Sequence, residues 1–365
     1  MTLFKPAYKI IVARKFIDTT DEPKASTVTD LTIKLDLEAF ADSATIVLGN
    51  VNGLQPERDD EVKISLGYAD NGGLTQVIVG SVVTVEPNIT TKRVIAYSAA
   101  ATLLRTFVDQ TYENKNAGQI VRDLVDKAKA GGSSSTNPVP VGGAIDSAVS
   151  GAIGGLTGKT PLEVETADDG IQFPAYVIDS QRSVYHHLHD LAELCGFDLY
   201  VNSDGKLVFE EFVGGNIVHV FEYAKHIIEL DIQRTPPRAG QVEAWGESPA
   251  GRGGAESWAW LTNDFTNARG SAGSGSPKLL LERSALRTRA AALTAAKAAL
   301  TAIQRRTLQG RLLILGDPKV KLGDAIRLAN LSDDSLNQTY QVRGVTHRIT
   351  KLGGFTTTIQ FRSLT

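Results

Sequence analysis

The chain has 365 residues, a 42 % hydrophobic content and a formal net charge of −3. That length allows two or three domains with their own cores, and the composition is that of a soluble globular protein rather than a disordered one. The small charge gives no bulk attraction for nucleic acid or membrane, no window supplies the roughly 20 apolar residues of a membrane span, and the single cysteine, Cys195, excludes an intrachain disulfide.

The opening Met1-Thr2-Leu3-Phe4-Lys5-Pro6 has neither a basic nor an apolar leader region, so no signal peptide is expected. A product of the reducing cytosol that leaves its host then leaves by another route, such as lysis. Residues 8–100 read as strands and turns. Tyr8–Ala13 opens, Leu31–Leu37 alternates with period two, and Ala44–Leu48 follows before Asn50, Asn52 and Gly53 stop it. Asp70-Asn71-Gly72-Gly73 is a strong hairpin signal, because a type I′ turn needs positive φ at both central residues.

At Ser98 the period changes. Ala99–Leu104 and Ala117–Ala128 read as helices, the second with Ile120, Val121, Leu124, Val125 and Ala128 in one stripe. Residues 131–165 are rich in Gly and small residues and read as an insert, a surface loop that orders against a neighbour. A third helix is expected over Ser183–Leu194, stopped at Gly196, followed by a hairpin of Phe197–Val201 and Lys206–Phe209 around Asp204-Gly205. Strands return at Ile217–Phe221, Ile227–Ile232 and Val242–Trp245. Glycine-rich loops then lead to one long helix, Ser284–Arg306, whose Leu286, Leu293 and Leu300, with Ala296 and Ile303 beside them, mark a packing face. The last 55 or so residues are β again.

Two segments read almost alike. Val77–Val85 with Lys92–Ser98 is a Gly-broken β run, a turn and an alternating strand, and Tyr340–Ile349 with Thr356–Ser363 repeats it. Each is preceded by a similar strand, Val62–Leu66 in one and Ala325–Leu328 in the other. A repeat so far apart predicts two copies of one β-unit on equivalent strands. The expected division is therefore a first β-domain over 1–98, an α/β domain over 99–213, and a second β-domain split between 214–245 and 310–365. The excursion 246–309 is expected to pack with the α/β part.

These features together resemble the hub proteins of phage and phage-like baseplates: contractile-tail hubs, late control protein D and the N-terminal region of VgrG. The residues that carry the likeness are Asp60–Tyr68 with Val79–Val82, Tyr97-Ser98 leading into Leu103-Leu104, and Tyr200–Phe209. Leu315–Pro318, Leu322–Asp324 and Tyr340 through Thr358 complete it. The likeness spans nearly the whole chain apart from about 131–165 and rests on the order of these motifs together with the repeat.

The resemblance implies an α+β, mainly β fold with two tail-tube-like barrels and an α/β insertion domain. It also implies a homotrimer whose six barrels adapt a sixfold tail tube protein above to a threefold spike protein below. Surrounding baseplate proteins would be further partners, with tape measure protein or DNA in the channel, no stable membrane insertion, and a place in the virion baseplate after synthesis in the host cytoplasm. Unlike VgrG the sequence stops at Thr365 without an oligonucleotide/oligosaccharide-binding domain or β-helix, so a spike is expected as a separate chain.

No catalytic, cofactor or metal site is expected. His186, His187 and His189 form the densest His cluster, with Cys195 six residues beyond the last, but no second cluster completes a metal-ligand set. Surface or partly packed helix histidines are the expected reading. Glu210-Glu211 and Asp333-Asp334 are the closest carboxylate pairs for a tail-associated peptidoglycan hydrolase. Neighbours on a strand point to opposite faces, which makes Glu210-Glu211 a poor pair. Ser150-Gly151 lacks the Gly-x-Ser-x-Gly elbow, and Cys195 reads as a buried thiol. Arg283, Arg287, Arg289, Lys297, Arg305 and Arg306 make the long helix basic, which without aromatics reads as a solvated face or a dock for an acidic neighbour. A hub channel that DNA slides through would want a neutral or acidic wall.

Overall fold

The computed structural model describes residues 5–13, 15–20, 27–49, 55–70, 73–130, 162–249, 261–262 and 268–364. The 131–161 part of the expected insert and the centre of the Asp70–Gly73 turn lie outside them. The first part of the chain gives β1 (Pro6–Val12), β2 (Lys15–Asp18), β3 (Val28–Asp36), β4 (Ser43–Gly49), β5 (Glu61–Tyr68), β6 (Gly73–Pro87) and β7 (Thr91–Ser98). A mixed region follows with helix α1 (Ala100–Arg105), β8 (Gln110–Asn116), α2 (Ala117–Lys129), β9 (Glu163–Ala167), β10 (Gln172–Ile178), α3 (Val184–Cys195), β11 (Asp198–Val201) and β12 (Lys206–Glu210). Next come β13 (Val218–Glu222), β14 (Ile227–Arg234), β15 (Gln241–Trp245), the short β16 (Ser248–Pro249) and β17 (Leu261–Thr262), β18 (Arg269–Gly273), β19 (Lys278–Glu282) and α4 (Arg289–Arg305). The chain closes with β20 (Leu308–Leu315), β21 (Ala325–Ala329), β22 (Thr339–Thr350) and β23 (Gly354–Ser363).

The fold is mainly β, and its largest element is one 13-stranded sheet that holds both repeats. Six strands run in the order β3-β4-β7-β6-β5-β1, and six more in the order β14-β20-β23-β22-β21-β13. Their sequence order matches strand for strand. So do two β-bulges. One falls between Val82 and Thr84 where β6 meets β7, and between Val342 and Gly344 where β22 meets β23. The other falls between Val28 and Asp30 on β3, and between Ile227 and Glu229 on β14. Bulges are specific local devices, so two coinciding bulges fix the alignment of the copies to the residue. One strand departs: β1 pairs antiparallel with β5, whereas β13 pairs parallel with β21.

This alignment corrects the glycine echo seen in the sequence. The strands are equivalent, but Thr84 answers to Gly344, and Gly80 answers to Tyr340. The two glycines also do different work. A Cβ on Gly80 would lie 2.1 Å from the carbonyl oxygen of Tyr97, so the close approach of β7 requires glycine there. A Cβ on Gly344 would meet first the Oε1 of Gln360 at 3.3 Å, the end of a flexible side chain.

The apolar faces of both copies share one core, which includes Ile10, Leu31, Ile33 and Ile64 from the first and Leu312, Ile326, Val345 and Phe361 from the second. A second core lies in the mixed region. It holds the inner stripe of α2 (Ile120, Val121, Leu124, Val125), with α3, β10, β12 and the alanine face of α4. Asn116 caps α2 through a reciprocal capping box with Gln119, and α3 ends at the left-handed Gly196.

Two expectations change. Val242–Trp245 does not extend the second β-unit: β15 lies between β18 and β19 in a separate three-stranded sheet, because Val242 and Ala244 are needed beneath the second core. The long helix begins at Arg289, and its buried face is Ala291, Ala292, Ala295 and Ala296, with Leu293 and Leu300 at its margin. Small side chains let this helix lie close to its sheet.

Gly80→Ala should lower the stability read from urea unfolding midpoints by about 3 kcal/mol, because the β6–β7 pairing must open. Gly344→Ala should stay within about 1 kcal/mol of the parent.

Candidate assembly surfaces

The continuity of the large sheet rests on one junction. The second half of β22 pairs antiparallel with β3, from Gly344 opposite Asp36 to Thr350 opposite Asp30. Strand β22 thus shares one edge between two partners: Thr339–Gln341 take β21 and Gly344–Thr350 take β3. Inward from this seam Leu31, Ile33, Val345 and Ile349 are buried together. Outward, Arg348 donates to Asp30 at 2.7 Å, so the solvent face of the seam is closed by a cross-strand ion pair.

An ionic knot ties the mixed region to the same place. Arg343 is the extra residue of the β22 bulge, and the bulge aims it away from the strand's regular facing. Its guanidinium donates to Asp198 of β11 at 2.8 Å and lies 3.9 Å from Glu38, just past β3. Gln341 donates to the other carboxylate oxygen of Asp198 at 2.5 Å. Arg362 donates to Glu38 at 2.5 Å and Arg306, at the end of α4, sits 3.7 Å away. Burial works to raise the pKa of Glu38, but the surrounding guanidiniums outweigh it and hold the carboxyl below its usual range. A cleft of about 600 Å³ opens beside the knot between Arg343, Arg362, Arg311 and Asp231.

The sequence-derived candidates are dispersed. His186 bonds Ser183 through Nδ1 at 2.7 Å and packs on the Phe40 ring, whereas His187 is buried with Nε2 against the Asp179 carbonyl at 3.0 Å. His189 is the member of the trio with carboxylates close by: its ring, Asp190 and Glu193 come within 4.8 Å of one another, and Asp190 already accepts from Arg182 at 2.5 Å. Cys195 is buried under the Ile171 amide, and desolvation pushes its thiol up to about 11. Glu210 sits near the Tyr200 hydroxyl with its pKa raised, first by burial, while the amide of Glu211 donates to Asp168. Asp333 caps a short turn through the Ser335 amide and meets Arg234 at 3.4 Å.

The arginines near α4 are not one solvated face. Arg287 pairs with Glu247 at 3.3 Å, Arg305 stacks over the Phe212 ring at 5.7 Å, and Arg306 joins the Glu38 knot. Sequence reasoning missed the knot altogether. Its members come from five elements, β22, β11, β23 and the ends of β3 and α4, and the one local signal, the bulge, shows only when the two repeats are aligned.

Two buried titratable groups lie near these surfaces. His347, on β22 at the seam, is buried, bonded through Nδ1 to Thr357 at 2.9 Å and, among the described residues, without a partner at Nε2; desolvation lowers its pKa to about 3. Asp42 is buried between the β3–β4 turn and the mixed region, where desolvation raises its pKa to about 7 despite a 3.0 Å bond from the Asp36 amide.

No family model matches the sequence, and none of the curated proteins does. Solved structures do match the fold. The 43 kDa tail protein of prophage MuSo2 from Shewanella oneidensis is 11 % identical, with a TM-score of 0.66 over 97 % of this chain and 98 % of that one. A tail protein from Neisseria meningitidis MC58 is 12 % identical, with a TM-score of 0.66 over 98 % and 96 %. The E. coli c3393 protein is a component of the type VI secretion system with structural similarity to the T4 bacteriophage tail proteins gp27 and gp5. It is 8 % identical, with a TM-score of 0.57 over 97 % of this chain and 76 % of that one. The chain therefore has the fold of phage-tail and secretion-system tail proteins.

Arg343→Ala takes the paired cation from the largely buried Asp198 carboxylate and leaves it the neutral Gln341 amide. It should cost about 3 kcal/mol in chemical unfolding and expose the mixed region to limited proteolysis.

The two buried groups set opposite pH trends. His347 binds its proton more weakly when folded, so its contribution is complete above about pH 6.5 and is lost as pH falls towards 3, at up to about 1.4 kcal/mol per pH unit. His347→Leu should flatten that acid limb in unfolding midpoints measured between pH 6.5 and 4. Asp42 binds its proton more tightly when folded, so its contribution is complete below about pH 4 and is lost as pH rises to about 7. Asp42→Asn should accordingly raise the melting temperature at pH 8 and raise it far less at pH 4.5.

Proposed function

We propose that this chain is the structural hub of a phage-tail baseplate, acting as a homotrimer whose six β-units form a ring around a channel. The observation that carries this is the internal duplication: twelve strands in two matching sets of six, with coincident bulges, joined in one sheet. A ring of duplicated chains presents six similar positions to a sixfold tube on one side and three chain-specific positions to a spike on the other. The likeness in fold to tail proteins over nearly the whole chain supports the same reading.

The polar side of the large sheet suits a channel wall. Its charges alternate in sign and pair across strands, as Arg348 does with Asp30 and Arg93 with Glu86, and Arg311 stands opposite Asp231. A wall balanced in this way holds no phosphate backbone tightly, so DNA or tape measure protein passes without sticking. The mixed region, anchored by Arg343 and Asp198, is the part placed to receive surrounding baseplate proteins. The role asks for no catalysis. The hub of a phage-like contractile injection machine works by the same mechanics and is the second reading, favoured by the likeness to a type VI secretion component. Capsid and terminase genes beside this one would assign it to a phage.

The purified protein should run as three chains in size-exclusion chromatography with light scattering. A single-chain mass at the highest attainable concentration, unchanged on adding the cognate tube and spike proteins, would overturn the hub reading.

A further inference from the structure

The seam that joins the two copies inside the chain has both of its halves present a second time, unjoined. Alignment by the bulges makes β6 the counterpart of β22, and β14 the counterpart of β3. On β22 the stretch from Gly344 onward is covered by β3. On β6 the corresponding stretch, Thr84–Pro87, pairs with β7 on one side, and β5 ends its pairing at Ser81 on the other. On β14 one edge pairs with β20, and among the described residues no strand takes the other. Side chains record the missing neighbour. Leu31 and Ile33 are 0 % exposed, whereas their counterparts Leu230 and Ile232 are only half-buried, and the neighbouring Ile228 is 51 % exposed.

We propose that β14 of one chain pairs antiparallel with the open half of β6 of a second copy, in the register that β3 makes with β22. The proposal rests on the ring reading of the hub and says which edges close it. Transferring the register places Val85 opposite Arg234, Glu86 opposite Gln233 and Pro87 opposite Ile232. Main-chain directions agree. The Asn88 amide turns inward to Thr91 and the Thr235 amide turns inward to Thr307, so by alternation Val85, Pro87, Ile232 and Arg234 face the open edges. Val85 and Arg234 then exchange two hydrogen bonds, and Ile232 donates a third to the carbonyl of Pro87. Pro87 has no N–H to return, which ends the seam there and blocks a longer, indiscriminate strand addition.

The two seams differ in their flanks. At the position of Arg343 the open seam carries Val83, at that of Arg362 it carries Tyr97, and at that of Glu38 it carries Pro237. The seam between chains is thus apolar and neutral where the seam within the chain is ionic.

Glu86→Cys with Gln233→Cys in one chain tests the register, since the transferred pair is a non-hydrogen-bonded one with Cα atoms about 4.5 Å apart, within disulfide reach. The native Cys195 is buried and stays out of the reaction. Copper–phenanthroline oxidation should convert the protein to disulfide-linked dimers and trimers on a non-reducing gel, with native mass still that of three chains. The shifted pair Glu86→Cys with Asp231→Cys, on the same face, should react at least about tenfold more slowly, its Cα atoms lying beyond easy reach. A three-chain mass without the disulfide, or faster reaction of the shifted pair, overturns this seam and leaves the ring standing. A single-chain mass with no disulfide, unchanged on adding the cognate tube and spike proteins, overturns both.

Discussion

Everything else in this fold depends on the pairing of β22 with β3. A strand edge left open in water is a hazard, because its amides and carbonyls accept any extended chain. Here the edge of one copy is covered by the edge of the other, and the join leaves a single apolar face instead of two separate ones. The core then forms from both copies at once. The split of the second copy around a helical excursion does not weaken this, since the seam uses β22 and not the strands that bracket the excursion.

The ionic knot works through geometry more than through gross energy. Ion pairs taken out of water return little beyond their desolvation cost, but they punish misplacement, since Asp198, Arg343 or Arg362 left unpaired would still be largely shielded from water. Glu38 faces three guanidiniums and Asp198 takes bonds from two β22 side chains, so the mixed region has one orientation relative to the sheet that satisfies them all. Tyr68 adds a neutral link between the copies by donating to the Gly316 carbonyl at 2.8 Å.

What the sequence disclosed follows from periodicity. Period-two runs such as Leu31–Leu37 and the apolar stripe of α2 were legible because one face of each is buried and the other is wet. Strand β8, whose residues are Gln-Thr-Tyr-Glu-Asn-Lys-Asn, was not, because only Tyr112 is buried and the run reads as a loop. The spacing of Leu286, Leu293, Leu300 and Ala296 marks the right side of α4, where Leu286 and Ala296 are buried, but Ala291, Ala292 and Ala295 complete the buried face, since a close helix–sheet approach selects small side chains that hydropathy patterns rank low. The repeat itself was legible, but glycine matching set it four residues out of register, because the constraint on Gly80 comes from a carbonyl on β7 that local sequence does not reveal. The knot and the seam lay beyond sequence reasoning for the same reason: their partners are more than a hundred residues apart.

The extra residue of the bulge has a further consequence. On a regular strand any change of side chain belongs to one face or the other, and the whole alternating set must tolerate it. A bulge residue belongs to neither set. Val83 and Arg343 hold this slot in the two copies, one apolar and one a tether to another part of the molecule, and the strands on either side keep their order unchanged. After a duplication, such a slot is where two identical units can diverge in what they attach to while remaining alike in shape.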